Sequence, residues 1–187
     1  MTTLYIKHMV CDRCKMVVQS EIEKLGLKAG KVDLGKAEVV GDLSREQYNA
    51  LSSNLEQVGF EIIDNNNART IEKIKNVIVE LVHYTEGELK INQSQYIAMK
   101  MDKDYTYLSN LFSESEGVTI EKYIISQKIE RVKELLEYGE YTLSEIADKV
   151  GYSNVAYLSS LFKKVTGITP SQYKENDQGT RKPLDMI

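Results

Sequence analysis

Part of this 187-residue chain is written twice. Tyr107-Leu-Ser-Asn-Leu-Phe112, followed by Gly117-Val-Thr119 and Tyr123, returns fifty residues later as Tyr157-Leu-Ser-Ser-Leu-Phe162, Gly167-Ile-Thr169 and Tyr173. Upstream, Ile97-Ala98 answers to Ile146-Ala147. Self-similarity of this kind marks a repeated supersecondary unit. Each copy reads as a short helix, a turn, a longer helix, a glycine stop and a further helix. Gly117 and Gly167 supply the left-handed backbone that ends a helix, and Thr119 and Thr169 cap the next one. Pro170 falls at a first helical position, where its missing N–H costs nothing. Thr142 with Glu145 forms a capping box ahead of Ile146. Residues 120–138, between the copies, read as one helix of roughly 19 residues, ~28 Å long. That is close to the ~34 Å helical repeat of DNA, so two such motifs can reach successive major-groove segments. The competing reading is a helical repeat that docks a protein, although a solenoid needs about three copies to bury its faces.

Bulk properties set the frame for the rest. With 42% hydrophobic and 28% charged residues the chain can bury a core and remain an ordinary soluble protein. No apolar run approaches the roughly 18 residues of a membrane span, and MTTLYIKHMV does not read as a signal peptide. Only two cysteines occur, spaced C-x-x-C, so a disulfide framework is not expected and a reducing cytoplasm is the default. The net charge of −4 runs against the basic footprint usual for nucleic-acid binders. The distribution of charge over faces therefore matters more than its total.

The first 65 residues have a different rhythm. Residues 3–8 form a β-type run, and the C-x-x-C follows at its end. Val17, Val18, Ile22 and Leu25 then share one side of a helix that stops at Gly26. Two β-type runs, 31–34 and 37–40, precede a helix capped by Ser44 and Gln47. That helix turns Tyr48, Leu51, Leu55 and Val58 inward and ends at Gly59. A last strand spans 60–63. The order β-α-β-β-α-β is that of a ferredoxin-like sandwich. Asn65–Asn67 are turn-formers and place a boundary; beyond it Ile71, Ile74, Ile78, Leu81 and Val82 form one buried helix face. The expected fold is thus α+β, with a ferredoxin-like domain at 1–66, an all-α double helix-turn-helix domain at 67–175 and a polar, partly disordered tail at 176–187.

The skeleton from Leu143 to Tyr173, with Ile146-Ala147, Gly151-Tyr152-Ser153, Phe162-Lys163-Lys164, Gly167, Thr169-Pro170 and Tyr173, resembles the signature of the AraC/XylS family of bacterial transcription regulators. With the first copy the resemblance covers about residues 70–175. It implies seven helices, two helix-turn-helix units and double-stranded operator DNA as the partner, with RNA polymerase a further candidate. On the second recognition helix, about 154–166, Leu158, Leu161, Phe162 and Val165 are the packing residues. Asn154, Val155, Ala156, Ser159, Ser160, Lys163 and Lys164 make up the rest of its surface. Small residues near the helix start suit close approach to base edges, and the lysines suit phosphates. The first copy offers Tyr105, Thr106, Ser109 and Asn110 to bases. It carries Ser113-Glu114-Ser115-Glu116, however, where the family has basic residues, which makes it the weaker reader.

Met9-Val-Cys11-Asp-Arg-Cys14, at a strand-to-helix turn within β-α-β-β-α-β, resembles the heavy-metal-associated domains of copper chaperones and metal-transporting ATPases. The resemblance implies that Cys11 and Cys14, with thiol pKa values lowered at a helix N-terminus, hold a soft ion. Cu(I) suits two thiolates, whereas Zn(II) needs further ligands. Met9 then packs, Phe60 shields the site and Lys15 offsets its charge. His8 stands where that family has glycine, as an extra ligand or simply an exposed or hydrogen-bonded histidine. Three readings of the cysteine pair stand side by side: a metal site that regulates DNA binding, an interaction domain with idle cysteines, and a thiol–disulfide site. The last lacks the cis-proline of thioredoxin-type sites. No catalytic constellation is present in the sequence, and His83 reads as structural, so a regulator is expected rather than an enzyme. The alternatives are a metal carrier fused to a protein-docking module with weak DNA binding, and a constitutive regulator with a vestigial metal loop.

Overall fold

The computed structural model describes residues 1–85, 91–175 and 181–187. Two compact units divide the chain, Met1–Asn76 and Val77–Ile187.

The first unit is built on four strands, β1 (Thr2–Lys7), β2 (Ala29–Asp33), β3 (Lys36–Val39) and β4 (Glu61–Ile62), in the order β2-β3-β1-β4. Every pairing is antiparallel. Side chains alternate across a strand, and β1 buries Leu4 and Ile6 on one face. Helices α1 (Asp12–Lys24) and α2 (Arg45–Gln57) supply Val18, Ile22, Leu51 and Leu55 to the same core, with Met9, Ala37, Val39 and Phe60. Ser44 and Gln47 form the expected capping box at the start of α2. Val17 and Val58 depart from their expected inward faces and are exposed. The other face of β1 carries Tyr5, and the Arg69 guanidinium of α3 (Asn66–Val79) stacks on its ring at 4.6 Å.

The division between units lies inside α3, ten residues beyond the boundary suggested by the polar turn-formers. Asn66 and Asn67 begin the helix instead of lying in a linker. The first turns of α3 belong with the sheet because their polar side chains grip it. Arg69 Nε donates to the Ile63 carbonyl (2.9 Å), and the His8 N–H donates to Glu72 Oε1 (3.0 Å). Asn76 lies so close to Gly35 that a Cβ there would sit 2.2 Å from its Nδ2; Gly35 also has φ +75°.

In the second unit a π-turn at Glu80–Tyr84 follows α3. After it come α4 (Gln93–Met101), α5 (Tyr105–Glu116), α6 (Ile120–Tyr138), α7 (Leu143–Lys149), α8 (Val155–Thr166) and α9 (Pro170–Glu175). The repeat is visible in the packing. Phe112 meets Tyr123 with ring centroids 5.5 Å apart, and Phe162 meets Tyr173 at 5.6 Å. Asp104 and Asn154 cap α5 and α8 by accepting from the third residue on, Gly117 and Gly167 end them in the left-handed region, and Thr142 and Glu145 make their capping box. The copies are offset by 49 residues at Ile97/Ile146 and by 50 at Leu108/Leu158, so the turn of the second motif is one residue longer. Gly151 takes the left-handed position there (φ +74°), where the first motif uses Asp102 (φ 51°).

Residues 181–187 correct the expectation of a loose polar tail; 176–180 lie outside the described residues. Arg181 faces Glu134 and Glu137 of α6 at 3.5 and 3.6 Å, and the Lys182 N–H donates to Glu130 Oε2 (2.9 Å). Gln127 Nε2 donates to the Leu184 carbonyl (3.2 Å). The segment runs antiparallel to α6 along a stripe of acids and one buried carboxamide. Charge complementarity and backbone hydrogen bonding hold it there. Gln127, with no exposed surface, also hydrogen-bonds the Tyr123 hydroxyl and, through its carboxamide oxygen, His83 Nε2 (both 3.0 Å).

Candidate nucleic-acid interface

Helices α5 and α8 expose the same positions. Leu108 and Phe112 are buried in one, Leu158 and Phe162 in the other, and this leaves Thr106, Tyr107 and Asn110 exposed opposite Ala156, Tyr157 and Ser160. Ser109 and Ser159 lie half-buried at the rim of these faces. Of the other candidates, Val155 packs partly on the core. The Asn154 side-chain oxygen is taken up as the cap that accepts from Tyr157 N (3.1 Å). Tyr105 donates its hydroxyl to Glu121 Oε1 at 2.5 Å. Burial and that bond push its pKa well up and hold the Glu121 carboxyl down, so its polar end is engaged within the protein. Val165, expected to pack, is exposed, because it falls beyond the core-facing stripe of Leu158, Leu161 and Phe162.

Tyr107 and Tyr157 were not singled out by the sequence. They are 48% and 55% exposed at matching positions near the helix starts. Lys103 Nζ stands 5.6 Å from the Tyr107 ring centroid, and Tyr157 meets Tyr152 with centroids 5.6 Å apart and the rings tilted by 59°. Tyr152 in turn covers Lys128 of α6, whose Nζ is 4.5 Å from the ring. Burial lowers the Lys128 pKa and raises that of Tyr152 to about 12. A buried cation on the helix between the motifs thus braces the second recognition helix through two rings. The repeat register alone could have pointed to this tyrosine pair.

The two helices differ in charge. The last turn of α8 presents Lys163 and Lys164, both exposed, whereas α5 carries Glu114 and Glu116 and no basic residue. Phosphate contact favours α8.

The cysteine loop lies in the first unit. Cys11 is the N-cap of α1 and Cys14 its third residue, which brings the two Sγ atoms to 3.4 Å. Both thiols are half-buried, and Cys14 Sγ lies 3.8 Å from the His8 carbonyl. Burial holds the Cys14 thiol above its ordinary pKa, and the adjacent Cys11 thiol adds to this; the backbone N–H groups at the helix start pull the other way and do not prevail. The lowered value implied by the resemblance therefore does not hold for Cys14. Met9 is fully buried and Phe60 nearly so, both in the core beneath the loop. Lys15 Nζ pairs with Asp12 at 2.9 Å. His8 has φ 68°, the backbone region glycine occupies freely. Among the described residues no third His, Cys, Asp or Glu joins the pair as a metal cluster. The site fits a two-coordinate soft ion and does not supply the four ligands of a structural Zn(II) site.

No helix among the described residues is long and apolar enough to cross a membrane. Residues 97–176 match the family described as "Helix-turn-helix domain". The chain is 28% identical to the Msm operon regulatory protein of Streptococcus mutans over 71% of its own length and 47% of that protein's. It is 26% identical to the xylose operon regulatory protein of Haemophilus influenzae, over 54% and 26% of the two lengths. It thus spans less than half of these curated relatives. Among solved structures it resembles the C-terminal domain of the two-component response regulator yesN from Fusobacterium nucleatum. That match has 33% identity and a TM-score of 0.48 over 58% of this chain and 99% of that one. Residues 97–176 of this chain are thus similar to a helix-turn-helix domain, of the kind its curated relatives among operon regulatory proteins also match.

Proposed function

We propose that the chain is a DNA-binding transcription regulator whose DNA affinity responds to a soft metal ion, Cu(I), held by Cys11 and Cys14. The observation that carries the DNA reading is the duplicated exposed face: Thr106, Tyr107 and Asn110 on α5 matched by Ala156, Tyr157 and Ser160 on α8, the latter followed by two exposed lysines. Helices of this kind enter the major groove with their N-terminal residues toward base edges. The β2-β3-β1-β4 order, with α1 and α2 on one face, supports reading the first unit as a ferredoxin-like sandwich of the heavy-metal-associated kind. Bound Cu(I) would supply a near-linear link between the two sulfurs. The chain's part is to hold both thiols at the start of α1, half-buried over Met9 and Phe60, with water partly excluded. Ion binding can act on DNA only if it favours one arrangement of the protein over another.

The test is anaerobic titration of the reduced protein with Cu(I) and Zn(II), followed by DNA binding at two salt concentrations. The reading expects one Cu(I) per chain, lost in the Cys11→Ser, Cys14→Ser double variant, and a DNA affinity that differs between loaded and metal-free protein. Equal affinity in both states at every salt concentration sinks the metal-responsive part and leaves a constitutive DNA binder.

A further inference from the structure

Outside the four strands and two helices of the first unit, an acidic side chain of α3 reaches the cysteine loop. Glu72, on α3, is 8% exposed, and its Oε1 accepts the backbone N–H of His8 at 3.0 Å, across 64 residues of chain. His8 is a non-glycine residue in the left-handed region, a conformation that persists only where its surroundings hold it. The carbonyl of the same residue lies 3.8 Å from Cys14 Sγ. The peptide groups of His8 are therefore gripped from both sides, by α3 at the N–H and by a thiol at the carbonyl.

Glu72 belongs to a stripe with Arg69 and Asn76, spaced so that all three lie on one face of α3. Its two neighbours meet parts of the unit remote from the thiols: Arg69 bonds the Ile63 carbonyl and covers the Tyr5 ring, and Asn76 lies against the turn at Gly35. Of these three, Glu72 is the one hydrogen-bonded to the loop that bears Cys11 and Cys14. The helix itself runs on to Val79, past the boundary at Asn76, and into the π-turn.

We infer that Glu72 is the positioning residue of the cysteine loop, clasping it to α3 so that a change at the two sulfurs is passed to that helix. The transfer rests on the metal reading above. The sulfurs stand 3.4 Å apart, in direct contact, and an ion held between them would have to part them. Loading would part the sulfurs and disturb the contact of Cys14 with the His8 carbonyl. The strained peptide at His8 then moves, and Glu72, bonded to its N–H, carries that movement to α3. An aliphatic side chain at 72 would leave the His8 N–H without a partner and α3 without the tie.

Amide hydrogen exchange on the full chain tests this, in wild type, Glu72→Ala and Glu72→Gln, each metal-free and with one equivalent of Cu(I). In metal-free protein the His8 amide is expected to exchange at least tenfold faster in Glu72→Ala than in wild type. In Glu72→Gln, whose side-chain oxygen still accepts, it should stay near wild type. Equal exchange in wild type and Glu72→Ala overturns the clasp whatever the metal does. With Cu(I), wild type should show altered protection along α3 and a changed DNA affinity. Glu72→Ala should bind the ion and DNA but lose both responses, with a loaded-to-free affinity ratio near 1. A full response in Glu72→Ala overturns the transfer. Loss of all Cu(I) response in wild type overturns the transfer together with the metal reading, while the metal-free comparison still decides the clasp.

Discussion

His83 and Gln127 share a hydrogen bond in a place where neither meets much water, and this gives the C-terminal unit a pH dependence. Burial lowers the His83 pKa, outweighing the Gln127 bond and the Glu134 charge that raise it; Arg131 and Arg181 add to the lowering. The native state prefers the neutral ring, so stability is intact above the ordinary value of 6.5 and falls as pH drops below it. Glu134, which burial pushes up but Arg131 and Arg181 pull below 4.5 on balance, gives way only in more acid solution. Urea melts between pH 7.5 and 5 should show this slope in wild type and lose it in His83→Gln. On the recognition helices, Lys163→Ala and Lys164→Ala should weaken DNA binding on all sequences and flatten the salt dependence, by about 0.9 in log–log slope for each phosphate left without its lysine. Glu114→Lys should steepen it by a similar amount if α5 lies against phosphate; an unchanged slope would favour α5 as a protein-docking face. Residue roles were unevenly legible. The repeat register assigned Leu158, Phe162 and both lysines, but a tyrosine beside the packing stripe gives no sign of which side of the boundary it occupies, so Tyr107 and Tyr157 were passed over. Nothing local separates Glu72 from an ordinary surface glutamate, because its partner is a backbone N–H on a distant strand end.

At the scale of elements, caps and stops were the most readable features, being local chemistry. Ser44/Gln47, Thr142/Glu145, Gly117 and Gly167 all mark real helix ends. The extent of α6, Ile120–Tyr138, follows from Thr119 before it and Gly139 after it. Two elements were misread because tertiary partners decide them. The Asn65–Asn67 run is turn-like in composition, yet Asn65 Oδ1 accepts from Asn67 N (2.8 Å) and starts α3. The segment 181–187, Arg-Lys-Pro-Leu-Asp-Met-Ile, has no periodicity of its own, and its contacts are with the α6 acids and Gln127. Its removal should therefore be felt. A chain ending at residue 180 leaves the Gln127 carboxamide short of one partner and three acids less compensated. The cost of such an unmet buried group, about 1–3 kcal/mol, should lower the melting temperature of the C-terminal unit by about 5 °C or more, as calorimetry would show. An unchanged melting temperature would mean the strap is an ornament of α6 and not a support.

Over the whole molecule, the net charge of −4 is not shared evenly. The first unit has eleven basic and eleven acidic residues, while the second has thirteen basic against seventeen acidic. All of the excess acidity lies in the unit with the recognition helices. Three of its thirteen cations, Arg131, Lys133 and Arg181, are engaged in ion pairs along α6 and are not free for a ligand. On the reading proposed above, a grip on DNA then depends on a few well-placed cations such as Lys163 and Lys164. Helices α5 and α8 thus offer the same backbone frame and a similar run of small and tyrosine side chains, but opposite charge. The two ends of any site they share are not interchangeable. A protein that reads a palindrome needs a second copy and a two-fold axis; one that carries two unlike readers in tandem draws an arrow on the duplex. Turning such a site end for end turns the bound protein with it, and so changes which of its surfaces looks toward the neighbouring promoter.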